Sequence, residues 1–146
     1  MSDRHTLLRR LLTLNEGERL KPYTDTVGKL TIGVGRNLTD VGITHDEAML
    51  LLDNDIAQVH AQIAGWATWF HDLDVVRQLA VMDLAFNLGF RRFLTFRATI
   101  AALAQKDFET AARQLEASLW YRQVGRRGPR IVAMIRTGEL PQEIAA

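Results

Sequence analysis

Apolar residues recur at helical spacing from the start of the chain. Leu7, Leu8, Leu11, Leu12 and Leu14 make one stripe, which predicts a helix capped by Ser2 or Asp3 and closed at Asn15-Glu16-Gly17. From Leu20 to Gly35 the period shortens. Thr26-Val27-Gly28-Lys29 is a turn signal, and Leu30-Thr31-Ile32-Gly33-Val34-Gly35 alternates with β-branched residues, so this stretch predicts a β-hairpin with Asp25 near its tip. Residues 37–43 read as loop. Thr44 and Glu47 have capping-box spacing and open a long helix, whose apolar positions Ala48, Leu51, Leu52, Ile56, Val59 and Ile63 run to about Ala64.

The stretch 65–70 breaks that pattern. A helix from about Asp74 to Leu88 is apolar on most sides, which predicts a place in the middle of a bundle, with Gly89 ending it. Three further helices are expected over residues 96–105, 107–122 and 129–136, with Asp107 as an N-cap, Pro129 in a first turn and Gly138 just past an end. The predicted class is α+β, mainly α. A hairpin lobe (about 15–43), a connecting helix (about 45–64) and a helical lobe (about 74–146, with the N-terminal helix) form one domain over 1–146, and a cleft between two lobes suits an elongated ligand.

Composition narrows the chemistry. With 146 residues, 47% of them hydrophobic, the chain can bury a core, and with no cysteine it has neither disulfides nor thiol chemistry. Formal net charge is +1 but uneven: residues 1–74 hold seven basic and eleven acidic residues, and residues 75–146 hold eleven and six. A basic C-terminal part facing a polyanion is the sharper reading, and ordinary surface charge the plainer one. His5, His45, His60 and His71 lack metal-ligand spacing, and Gly33-Val34-Gly35 is followed by no third glycine opening a helix, so neither a metal nor a dinucleotide is expected and no cofactor is assigned. The N-terminus lacks the continuous apolar run of a signal peptide, and no stretch reaches the roughly 18–20 apolar residues of a membrane span.

The chemistry concentrates in NEGERLKPYTDTVGKLTIGVGRN, residues 15–37. Glu16 lies at the end of a helix, where the macrodipole disfavours a negative charge, and partial burial against the leucine stripe is expected to act in the same direction. Asp25 lies on a hairpin whose N–H groups and water can support a carboxylate. Two carboxyls in contrasting environments are what acid-assisted glycoside hydrolysis needs, and the hydroxyl of Thr31 can help hold a water. Taken singly, each of these residues is an ordinary surface charge or strand residue. The joint arrangement carries the reading.

These residues also carry a family likeness. Glu16-Gly17, Arg19-Leu20, Tyr23, Asp25 and Thr31-Ile32-Gly33-Val34-Gly35 resemble, in identity and spacing, the catalytic segment of the phage-type lysozymes (endolysins), the glycoside hydrolase family 24 muramidases. Thr44–Leu52, Phe86-Asn87-Leu88-Gly89, Trp120-Tyr121 and Arg136-Thr137-Gly138 extend the resemblance over nearly the whole chain. It implies a two-lobed lysozyme-like fold and inverting hydrolysis of the β-1,4 bond between N-acetylmuramic acid and N-acetylglucosamine. It also implies Glu16 as general acid, with Asp25 and Thr31 holding the attacking water. Where many members have His after Gly-x-Gly, this chain has Arg36, for which a change in stability rather than chemistry is expected.

By the same resemblance Phe86, Thr99 and Gln114 fall where the family contacts glycan, and Arg127 where an arginine pairs with the catalytic glutamate. For Phe86 a core aromatic is at least an equal reading. Asn37 is a candidate hydrogen-bonding wall residue, and Gly125 and Gly128 are expected to keep the backbone adaptable around Arg122, Arg126, Arg127 and Arg130. The implied partner is bacterial peptidoglycan. The implied setting is a monomer without a membrane anchor that waits in the host cytoplasm for a holin and then acts on the wall in the periplasm. Three other readings compete: a lytic transglycosylase on the same bond, which Asp25 with Thr31 argues against; a nucleic-acid-binding helical module, which the small charge excess argues against; and a wall-binding relative without catalysis, disfavoured because all three catalytic positions are filled.

Overall fold

The computed structural model describes residues 3–145, so Ser2 as a helix cap lies outside the described residues. The chain divides into two compact units, Met1–Leu51 and Leu52–Ala146. In the first, helix α1 (Asp3–Glu16) precedes three strands, β1 (Arg19–Thr24), β2 (Leu30–Gly33) and β3 (Arg36–Asn37), which form an antiparallel sheet in that order. Tyr23 pairs with Thr31 and Thr31 with Asn37, while the β1–β2 register shifts between Arg19 and Tyr23. The leucine stripe is in place on α1, and its five residues are exposed.

The sheet departs from the simple hairpin that the alternation predicts. β2 stops at Gly33, and Gly33-Val34-Gly35 turns the chain into β3 instead of extending the strand, because Gly33 and Gly35 take φ of 69° and 68°. Asn37 therefore belongs to a strand and not to the loop. Helix α2 (His45–Trp66) starts as the capping box requires: Glu47 N–H donates to Thr44 Oγ1 and Thr44 N–H to Glu47 Oε1, both at 3.1 Å. Arg36 reaches the same carboxylate, its Nη1 lying 2.9 and 2.8 Å from Glu47 Oε1 and Oε2. Hydrogen bonds from Arg36 and then from Thr44 hold the Glu47 carboxyl below its ordinary value.

The second unit is helical: the rest of α2, a 3-10 turn at Phe70–Asp72, α3 (Val75–Leu88), α4 (Phe90–Phe93), α5 (Arg97–Ala104), α6 (Phe108–Glu116), α7 (Leu119–Gln123), α8 (Arg127–Thr137) and α9 (Gln142–Ala145). Its core is built around α3, whose Ala80, Val81, Leu84 and Ala85 are buried with Phe70, Phe93, Leu103, Leu115, Trp120 and Ile135. Asp74 and Asp107 cap α3 and α6 by accepting from Arg77 N–H and Thr110 N–H. Among the described residues no helix is long and apolar enough to cross a membrane.

Arg77 locks α3 to the end of α8. Its Nε donates to Ile135 O at 2.6 Å and its Nη2 to Arg136 O at 3.1 Å, while the guanidinium lies 3.7 Å from the Phe108 ring centre. A cation on the last carbonyls of a helix satisfies groups that the helix leaves open and complements its dipole. Arg136 ties α8 to α6 through Glu109 and Glu116.

Two expectations are corrected here. Residues 107–122 form two helices, because Ser118 interrupts the run and caps α7 by accepting from Tyr121 N–H. Gly128 provides space rather than flexibility: a Cβ there would lie 2.9 Å from Tyr121 Cδ2.

Trp120 is buried, and its Nε1 donates to Asn87 Oδ1 at 2.8 Å. Trp120→Ala is expected to cost about 3–5 kcal/mol in urea unfolding. Because the Glu47 pKa is lowered on folding, its ion pair with Arg36 stabilises fully above the unfolded pKa and is lost as pH falls through the folded one. Glu47→Gln keeps a capping-box side chain but loses the charge. Its melting temperature is expected to lie below wild type at neutral pH, with the gap closing below about pH 4.

Candidate active site

Glu16 is the last residue of α1, and Gly17, at φ 73°, ends the helix with its N–H on Thr13 O at 2.9 Å. The chain then reverses into β1, and the β2–β3 turn comes back to the helix end. A Cβ built on Gly35 would lie 2.9 Å from both Cδ and Oε2 of Glu16 and 3.1 Å from Cγ. The Glu16 carboxyl thus occupies the space that any other residue at position 35 would fill. The residue is exposed, so the burial expected against the leucine stripe is absent: its side chain lies over a glycine turn instead.

Asp25 follows β1 directly and is half-buried. Its Oδ1 accepts from Val27 N–H at 3.0 Å and Lys29 N–H at 2.8 Å, while its own N–H donates to Lys29 O at 2.9 Å. This is an Asx-type turn, in which a side-chain oxygen takes the place of a backbone acceptor. One oxygen is committed to the turn, and Oδ2 has no protein partner among the described residues. The same carboxylate builds the loop and presents an open oxygen.

Thr31, on the neighbouring strand, is 4% exposed, and its hydroxyl donates to Lys29 O at 3.0 Å. With its proton committed, Thr31 can serve a water only as an acceptor. Asn37 is cross-strand from Thr31, but its amide is largely taken up by the following loop. Oδ1 accepts from Asp40 N–H at 2.9 Å, and Nδ2 donates to Asp40 Oδ2 at 3.0 Å, leaving one N–H for a ligand. Glu16, Asp25, Thr31 and Asn37 all belong to the first unit.

The remaining candidates belong to the second unit and fall into two places. Phe86, 43% exposed and so no core aromatic, lines a cavity of about 360 Å³ with Leu52, Ile56, Val59, Leu79 and Met82. Arg127 and Asp83 complete its wall. Arg127 Nε donates to Asp83 Oδ1 at 2.8 Å and Nη2 to Oδ2 at 3.1 Å, the two-point geometry of a strong guanidinium–carboxylate pair. Thr99 and Gln114 line a separate pocket of about 340 Å³ between α5 and the end of α6.

Asp83 did not figure among the expected site residues. A signal for it exists: it is a lone carboxylate within the otherwise apolar run Val81–Phe86, where a charge needs a partner. Of the arginines at 122, 126, 127 and 130, only Arg127 takes part in an ion pair among the described residues. There too, no three or more His, Cys, Asp and Glu side chains come together as a metal site would need.

Known proteins resemble this chain over most of its length. A protein-family model described as phage lysozyme matches residues 13–136. Probable T4-type lysozyme 1 of Dictyostelium discoideum is 26% identical over 159 residues, covering 89% of this chain and 94% of that protein. The pre-baseplate central spike protein Gp5 of Enterobacteria phage T4 is 29% identical over 89% of this chain, which spans 28% of that protein. A SAR-endolysin of bacteriophage PS34 is 33% identical over 68% of this chain and 60% of its own length. With a family match spanning the helix end, the sheet and nearly all of the second unit, the chain belongs to the phage lysozyme family.

Proposed function

We propose that the chain hydrolyses the β-1,4 bond between N-acetylmuramic acid and N-acetylglucosamine in bacterial peptidoglycan, with inversion and without a cofactor. The observation that carries this reading is the seat of the Glu16 carboxyl over Gly35, in the same unit as a second carboxylate with one uncommitted oxygen. Membership of the phage lysozyme family supports the substrate class.

In the proposed reaction Glu16 gives its proton to the glycosidic oxygen as the bond from that oxygen to the anomeric carbon breaks. The released sugar leaves with a free hydroxyl. A water held by Asp25 Oδ2 and accepted by Thr31 Oγ1 attacks the anomeric carbon from the opposite face, and its proton passes to Asp25. Direct attack by water gives a hemiacetal of inverted configuration and no covalent sugar intermediate, which requires carboxyls about 6.5–9.5 Å apart. The backbone bonds to Asp25 Oδ1 support this role by fixing the direction in which Oδ2 points. Phe86, Thr99, Gln114, Asn37 and Arg127 are proposed to contact the glycan. The activity is proposed to serve host lysis at the end of a phage cycle, the enzyme waiting as a monomer in the host cytoplasm until a holin opens its way to the wall.

Turbidity of permeabilised Gram-negative cells tests the acid. Glu16→Gln is expected to lower lysis at least about 100-fold, the usual minimum contribution of a positioned general acid, with an unchanged unfolding midpoint. Substantial lysis by this variant would remove Glu16 from that role. Product analysis tests the reaction type: reducing ends of inverted configuration are expected, whereas 1,6-anhydromuramic ends would make the enzyme a lytic transglycosylase.

Gly35→Ala tests the seat. Left-handed φ costs a β-carbon residue about 1–2 kcal/mol, and the new methyl collides with the carboxyl itself. Activity is expected to fall well beyond what the lost stability explains, when compared at a temperature where wild type and variant are both folded.

A further inference from the structure

The end of α2 and the short helix α4 meet in a cluster of rings that the candidate active site does not use. Trp66, the last residue of α2, stands edge-to-face with Trp69, Phe90 and Phe93, their ring centres 6.4, 6.1 and 6.4 Å from its own. Phe93 is fully buried and Phe90 half-buried, so they anchor α4 to the core, whereas Trp66 is 45% exposed. Its indole N–H has no hydrogen-bond partner among the described residues. An indole packed on one side, with its polar N–H uncommitted, suits a boundary between apolar and wet surroundings.

On the α4 side of the cluster the charge has one sign. Residues 84–106 hold Arg91, Arg92, Arg97 and Lys106 and no carboxylate. All four cations are exposed, and none takes part in an ion pair among the described residues. Residues 56–71, which hold Trp66 and Trp69, contain no Asp, Glu, Lys or Arg. The single turn of α4 divides its work by position. Phe90 and Phe93, three apart, turn to Trp66, and the two arginines between them take the remaining faces of the turn.

We propose that this surface rests on the anionic face of a lipid bilayer, with Trp66 at headgroup depth and Arg91 and Arg92 against lipid phosphates. Charge complementarity selects an anionic partner, and the half-exposed indole selects a bilayer among anionic partners. Indoles and basic side chains at headgroup level are what hold a protein at a membrane surface. A nucleic acid would need open ring faces on which bases stack, and Phe90 and Phe93 spend theirs on packing. No described helix can cross a membrane, so the contact is peripheral. Each arginine at such a surface contributes about fivefold to partitioning, and less as salt rises. The contact is therefore reversible. It stands apart from the reaction proposed for Glu16.

Co-sedimentation of the full chain with vesicles tests this. Wild type is expected to pellet with vesicles of phosphatidylglycerol mixed with phosphatidylcholine and not with phosphatidylcholine alone, its tryptophan emission shifting to the blue as Trp66 leaves water. Arg91→Gln combined with Arg92→Gln is expected to weaken partitioning roughly 25-fold with an unchanged unfolding midpoint. Trp66→Gln is expected to lose the emission shift. The proposal is overturned if wild type ignores anionic vesicles, pellets equally with both kinds, or pellets no better than the double variant. A shift of wild-type size in Trp66→Gln overturns it too, as does capture by duplex DNA in a chain that ignores vesicles. Hydrolysis of lipid-free wall separates this surface from the site. The double variant is expected to match wild type there, and an equal loss in both assays would make the surface a glycan contact and overturn the membrane reading. If wild type hydrolyses no wall, the lysozyme reading fails while the vesicles still decide this surface.

Discussion

The carboxyl of Glu16 and a side chain at position 35 cannot occupy the same space, and the candidate site follows from that exclusion. A helix end and a sheet turn come this close only where one partner has no Cβ. The constraint is double, because Gly35 also holds a φ of 68°, which the tight return from β2 to β3 imposes and which L-residues with a β-carbon resist. Gly33, at φ 69°, lets the strand break where it does. The Gly-x-Gly sequence is therefore better understood as a device for seating a carboxyl than as the end of a strand. Its effect on chemistry comes from geometry: it fixes where an acid stands relative to the sheet that carries Asp25 and Thr31.

Asp25 illustrates how one residue can serve local structure and the proposed chemistry together. A solvated aspartate would rotate freely. Here Oδ1 is held by two N–H groups of its own turn, so the side chain has lost most of its freedom before any ligand arrives. The reading of Asp25 as an ordinary turn residue and the catalytic reading are compatible, since the first produces the rigidity that the second needs. Thr31 is constrained in the same spirit, its proton given to Lys29 O and its lone pairs left over. Asn37 is the counterexample, with most of its amide used to close the loop to Asp40.

What could be read from the sequence is what sequence encodes locally. The end of α1 at Glu16-Gly17, the capping box of Thr44 and Glu47, the caps Asp74 and Asp107 and the apolar α3 are each specified by residues within a few positions of one another. The third strand was hidden because two residues, Arg36 and Asn37, carry no periodicity. The split between α6 and α7 was hidden because Ser118 is polar at a position where a continuous helix would tolerate it. Pairings at long range, such as Arg77 on the end of α8 and Asp83 on Arg127, depend on helices meeting and leave at most an unexplained charge in an apolar run. Arg36 shows the same limit on a smaller scale: its charge was visible, but its partner Glu47 lies eleven residues on.

Ion pairs, local and long-range, also decide which positive charges in the second unit remain available. Arg77, Arg113, Arg127 and Arg136 are each joined to a carboxylate: Arg77 and Arg136 fasten helices, Arg127 lines a cavity, and Arg113 pairs within α6. The surplus of basic over acidic residues in this part of the sequence is thus not spread evenly over its surface. Once the pairs are set aside, the excess lies on side chains such as Arg97, where a pocket wall offers no acid to neutralise it.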